Sequence, residues 1–95
     1  MTEDRVRVAP IGELDQAATE ALETTCREAL ASGCRHLTID LSGVTFIDSR
    51  GLRLIIQLQA AAQLEGWTFA LLPGPPEVQR VFDVSGTRDL LPFVE

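Results

Sequence analysis

The chain has 95 residues, 45% of them apolar, and a formal net charge of −6 at pH 7, which allows one modest core. That acidic balance argues against a nucleic-acid phosphate surface, which needs a basic patch, and no apolar run approaches the roughly 20 residues of a membrane span. Met1-Thr2-Glu3-Asp4 lacks the charged-then-apolar layout of a signal peptide, so a single cytoplasmic domain over residues 1–95 is expected.

Arg5-Val6-Arg7-Val8 alternates charged and apolar, the period of a half-buried strand. Pro10 and Gly12 bring the chain off it. Asp15 is a candidate helix N-cap, although Ala18 stands where a capping box wants Glu. Ala18, Leu22, Cys26, Ala29 and Leu30 then share one helical face, and Gly33 ends the helix. His36 to Leu41 reads as a second strand with Leu37, Ile39 and Leu41 on one side. The Ser42-Gly43 turn follows, and Phe46 and Ile47 read as an apolar plug beneath Asp48-Ser49.

A long helix begins after Ser49. Leu54, Ile55, Leu58, Ala61 and Ala62 form its buried stripe, and Leu52, Ile56 and Ala60 widen it. So broad a stripe is either deeply packed or offers its edge to a partner. Gly66 closes the helix, and Trp67 to Leu72 reads as a buried third strand. Pro73-Gly74-Pro75-Pro76 is a turn opening a short helix, with Pro76 and Glu77 in its first turn and Val78, Val81 and Phe82 on its apolar face. Ser85-Gly86 stops it. Leu90-Leu91 and Phe93-Val94 pack the last segment as a helical turn or a short edge strand. Strands alternating with helices predict an α/β fold with a largely parallel sheet.

Ser49, His36 and Asp48 or Asp40 supply the letters of a hydrolase triad. No G-x-S-x-G elbow is present, however, and His36 begins a strand while Ser49 lies past its far end, about 13 Å away at strand rise. No enzyme is expected. Phosphate-loop glycine patterns are absent, and Asp40 lacks the acidic cluster and the further βα units of a receiver domain. Cys26, Cys34 and His36 are too few and too widely spaced for a zinc site, so no metal is expected. Two readings of Ser49 remain: it caps the helix with Asp48, or it is a substrate for phosphorylation at the helix mouth.

The run Asp40-Leu41-Ser42-Gly43-Val44-Thr45-Phe46-Ile47-Asp48-Ser49, with Gly51-Leu52 after it, resembles the signature of the STAS domain family, and within it the bacterial anti-sigma factor antagonists. Gly12-Glu13-Leu14-Asp15 and Val78 to Gly86 are similar to further parts of that family. The resemblance implies a small STAS-type domain with a four- to five-stranded mixed, largely parallel sheet and about three to four helices. It also implies binding to a serine-kinase anti-sigma factor, phosphorylation of Ser49 by that kinase, release of the partner, and restoration by a phosphatase. The partner-binding set is then Asp15, Asp48, Ser49, Arg50, Gly51, Leu52 and Arg53, with no cofactor, nucleic acid or direct membrane contact. A homodimer is left open by the broad stripe and by the edge candidates Val6 and Phe93.

Two positions depart from the family pattern. Arg50 stands where Ser or Thr is usual, and Arg53 where a small residue is expected. These arginines either match an acidic kinase surface or pair with a phosphate on Ser49, since guanidinium forks suit phosphate oxygens. The alternative function is a non-phosphorylated STAS subunit of a lipid-transport ATPase complex or a stress-signalling assembly.

Overall fold

In the computed structural model, which describes residues 4–94, the alternating segment forms β1 (Arg5–Val8), with Val6 and Val8 packed against the core. Met1, Thr2 and Glu3, read above for a leader pattern, lie outside the described residues. β1 pairs in parallel with β3 (His36–Asp40), which pairs in parallel with β5 (Thr68–Leu72), so β3 is the central strand. Leu37 pairs with Phe69 and Ile39 with Leu71 in register on the inner face, and all four are buried. Each such side chain contributes about 1.5–3 kcal/mol relative to exposure.

Between these strands run two long helices. α1 (Gln16–Ala31) starts at Asp15, whose carboxylate accepts from Ala18 N–H at 3.0 Å, so the cap forms without the reciprocal partner of a full box. Leu22 and Cys26 point inward, and Gly33 takes φ +101° just beyond the end. Both cysteines are free and buried, and burial pushes the Cys26 thiol up to about 11, leaving it protonated at neutral pH.

α2 (Ser49–Glu65) buries Leu54, Ile55, Leu58 and Ala62 and stops at Gly66, φ +82°. Its wide stripe is not packed across its full width. Leu52 is half-buried, while Ile56 and Ala60 face outward. α3 (Pro76–Ser85) buries Val78 and Phe82 and ends at Gly86. The last segment uses both forms expected of it. A 3-10 turn, Arg88–Leu90, is followed by one parallel bridge from Phe93 to Leu71. Phe93 packs edge-on to Phe82 with centroids 5.0 Å apart. Leu91 is buried, but Leu90 and Val94 are exposed, contrary to the packing expected of them. The bridge turns Phe93 toward the core, so its neighbour Val94 faces solvent, while Leu90 ends the 3-10 turn on its exposed side.

Two strands were not read from the sequence. β2 (Gly12–Leu14) pairs in parallel with β4 (Val44–Ile47) in a second, two-stranded sheet. Both segments are shorter than a typical strand and carry no clear alternation, so tertiary pairing decides them rather than local pattern. Every strand pairing among the described residues is parallel, giving five strands and three α-helices. No helix among the described residues is long and apolar enough to cross a membrane.

Candidate functional site

The second sheet explains why the two helix mouths lie together. Leu14 ends β2 and Ile47 ends β4, and these two residues are direct partners in the parallel register. The next residue on each strand is an N-capping aspartate, Asp15 for α1 and Asp48 for α2. Neighbouring strands lie about 4.8 Å apart, so the two N-termini emerge side by side. Asp15 and Asp48, 33 positions apart in sequence, thereby share one corner.

Within that corner, consecutive residues do different things. Asp48 has an extended backbone, and its Oδ1 accepts from Arg50 N–H at 2.9 Å and Gly51 N–H at 3.1 Å. The capping role therefore falls to Asp48 alone. Ser49 is the first residue of the helix, is exposed, and has no hydrogen bond to its Oγ among the described residues. Gly51 is buried: a Cβ there would come within 2.7 Å of Ile47 Cγ1 and 3.7 Å of Leu14 Cβ. Glycine lets the first turn of α2 rest directly on the ends of β2 and β4. Of the predicted partner-binding set, Gly51 faces inward, Leu52 and Asp48 are half-buried, and Asp15, Ser49, Arg50 and Arg53 are exposed.

Arg50 and Arg53 line an open groove between the helices. Gln16, Thr19, Glu20 and Glu23 of α1 form the opposite wall. Glu23 pairs with Arg27 at 2.9 Å on its own helix, and Glu20 accepts from Gln16 at 3.4 Å. Neither Arg50 nor Arg53 makes a salt bridge among the described residues.

Asp40, at the start of the signature run, is a buried structural carboxylate. It accepts from Ser42 N–H at 2.9 Å and from the Arg7 guanidinium across β1 and β3. The Ser42 N–H and the Arg7 cation hold its carboxyl down at about 2, well below the ordinary 3.8. It fixes the turn that aims β4 at the site. His36 lies at the other end of β3, with Nε2 3.7 Å from an Asp4 carboxylate oxygen.

The plug expected from Phe46 and Ile47 is half correct. Ile47 is buried, but Phe46 is 50% exposed, because consecutive strand residues point to opposite faces. Ile11 is 87% exposed and borders Gly43, where a Cβ would lie 3.3 Å from Ile11 Cγ1. The backbone bond from Gly12 N–H to Gly43 O, 2.9 Å, holds these loops together. Ile11, just before β2, and Phe46, within β4, thus each present exposed apolar surface. Sequence reading missed Ile11 because Pro10 and Gly12 marked it as part of a turn.

A family model described as "Mlab, STAS domain" matches residues 1–92. The chain belongs to the STAS domain family. Among STAS relatives, the anti-sigma F factor antagonist of Paenibacillus polymyxa is 28% identical over 85 residues, covering 88% of this chain and 73% of that protein. The structure of an anti-sigma factor antagonist from Mycobacterium paratuberculosis superposes with a TM-score of 0.78 at 27% identity, over 96% of this chain and 77% of the other. Bacillus SpoIIAA shares the fold in two states. Its unphosphorylated form gives a TM-score of 0.80 at 23% identity over 100% of this chain and 84% of that one. Its phosphorylated form gives 0.73 at 22% over 97% and 84%.

Proposed function

We propose that this chain is a cytoplasmic anti-sigma factor antagonist, acting as one STAS domain over residues 1–95. It binds a serine-kinase anti-sigma factor at the paired helix mouths, and phosphorylation of Ser49 ends that binding. The observation that carries this reading is the exposed Ser49 Oγ, which takes no part in the cap beside it. The names of the related antagonists support the partner class.

The chemistry follows from the position. The kinase brings ATP; Ser49 Oγ attacks the γ-phosphorus, the bond to ADP breaks, and the hydroxyl proton passes to a base on the kinase. The product gains about −1.5 to −2 charge at neutral pH. The positive end of the α2 dipole accommodates that charge at the first helical position. Arg50 and Arg53 on the lip of α2 suit an acidic partner surface, so a phosphate added beside them meets like charge there and repels the partner. A phosphatase reverses the change by adding water across the phosphoester, returning serine and inorganic phosphate.

The test is incubation with candidate serine-kinase anti-sigma factors and ATP, followed by intact-mass measurement. One added phosphate, absent in Ser49→Ala, is the expected result. Failure with every such kinase encoded in the same genome would overturn the reading. A second reading, an unphosphorylated STAS subunit of a larger assembly, is favoured by the arginines that replace small residues on the lip of α2 and by the non-sigma description of the matching family model. It predicts stable co-purification with that assembly and an unmodified Ser49.

A further inference from the structure

We propose that a phosphate on Ser49 is clasped by Arg53 of the same helix, drawing that side chain from the α1–α2 groove. The inference deepens the proposed function and rests on Ser49 as the modified residue. Three observations carry it.

The first is spacing. Ser49 and Arg53 stand four residues apart on α2, so they lie on the same face one turn apart. Helical side chains lean toward the N-terminus, which directs Arg53 back over Ser49. An anion four residues before a cation is also the favoured orientation of such a pair. Arg50, one residue from Ser49, projects about 100° round the helix and lacks this geometry.

The second is availability. Arg53 is exposed and has no salt-bridge partner among the described residues. The acids across the groove are engaged on their own helix, Glu23 by Arg27 and Glu20 by Gln16. The third is position between two neighbourhoods. Arg53 belongs to the groove-lining stripe of Arg50, Leu54 and Gln57, while its spacing of four residues sets it one turn above Ser49, which is not part of that lining. Moving it toward a phosphate opens the groove and replaces a cation at its lip with a neutralised pair. A bidentate guanidinium–phosphate contact gives the clasp its preference for arginine over lysine.

The inference is testable with phosphoserine inserted at position 49 during translation, followed by a 31P NMR pH titration. The acidic groups nearby are Asp15 and Asp48 at the two helix mouths and Glu20 and Glu23 on the α1 wall of the groove, and they are constant across the variants. The phosphate of the otherwise wild-type chain should complete its second ionisation about half a unit lower than that of Arg53→Gln, the size of an exposed helical ion pair strengthened by the dianion. The gap should shrink in 1 M salt, and Arg50→Gln should shift the midpoint less. Coincident curves for wild type and Arg53→Gln would overturn the clasp, as would equal shifts in the two arginine variants. The phosphate here is installed without a kinase, so a failed kinase assay and a failed titration are separate results.

Discussion

Replacing Asp48 separates its hydrogen bonds from its charge. Its carboxylate accepts from two N–H groups of the first α2 turn, at 2.9 and 3.1 Å. Loss of an N-cap side chain costs about 1 kcal/mol, and loss of a negative charge at the helix dipole about 0.5 kcal/mol more. Asp48→Ala should therefore cost roughly 1.5 kcal/mol. Asp48→Asn keeps an oxygen acceptor and should cost only about 0.5 kcal/mol. For a domain of this size, 1 kcal/mol moves Tm by about 4–8 °C, so the alanine variant should melt roughly 6–12 °C lower and the asparagine variant about 3 °C lower. The single tryptophan, Trp67, is 8% exposed, so its fluorescence reports unfolding in urea and by heat. Equal losses in the two variants would refute the hydrogen-bond account and assign the effect to charge. No loss in Asp48→Ala would remove the cap from the reasoning altogether.

Asp40 sets an acid limit. Its folded-state carboxyl is held at about 2 against an ordinary 3.8, so its contribution is present above that ordinary value and drains away as pH falls toward 2. Asp40→Asn should lower stability at neutral pH and flatten the acid limb between about pH 4 and 2; urea midpoints that run parallel to wild type through that range would refute this. Gly51→Ala gains up to about 1 kcal/mol of helix propensity but forces a Cβ to within 2.7 Å of Ile47, where overpacking costs about 1–3 kcal/mol. Net destabilisation is expected in urea, and a more stable variant would show that Ile47 yields. Ile11→Ser should leave stability within about 0.5 kcal/mol of wild type, and Phe46→Ser, losing a half-buried ring, should cost about 1 kcal/mol, while each weakens binding to the anti-sigma factor about tenfold. Unchanged affinity in calorimetry would remove this surface from the interface.

The helices were legible in the sequence because each carries its own punctuation. Asp15, Gly33, Gly66, Pro76 and Gly86 all sit at the ends they were read to mark. β3 and β5 were legible because their apolar residues alternate or run together. β2 and β4 were not, since three and four residues carry too little pattern and the Leu14–Ile47 pairing joins segments far apart in the chain. That hidden pairing is also why bare sequence could not bring Asp15 to Asp48; only the family resemblance placed them in one set. The same gap misassigned Phe46, which looked like a plug until β4 gave it an outward face.

Five residues at the start of α2 divide their tasks so that one of them stays free. Asp48 holds the N–H groups, and Gly51 allows the close approach to Ile47. Arg50 and Arg53 belong to the groove. Ser49 holds nothing that the fold uses. Had Ser49 been the cap, a phosphate would compete with the first turn and its effect would include partial unwinding. Because the capping oxygen belongs to Asp48, the added charge acts on whatever approaches the surface, and the helix beneath it keeps its contacts. A charge-only substitution such as Ser49→Asp should then leave the melting temperature within a few degrees of wild type and still weaken partner binding. Unfolding on that substitution would mean that the serine supports the helix after all.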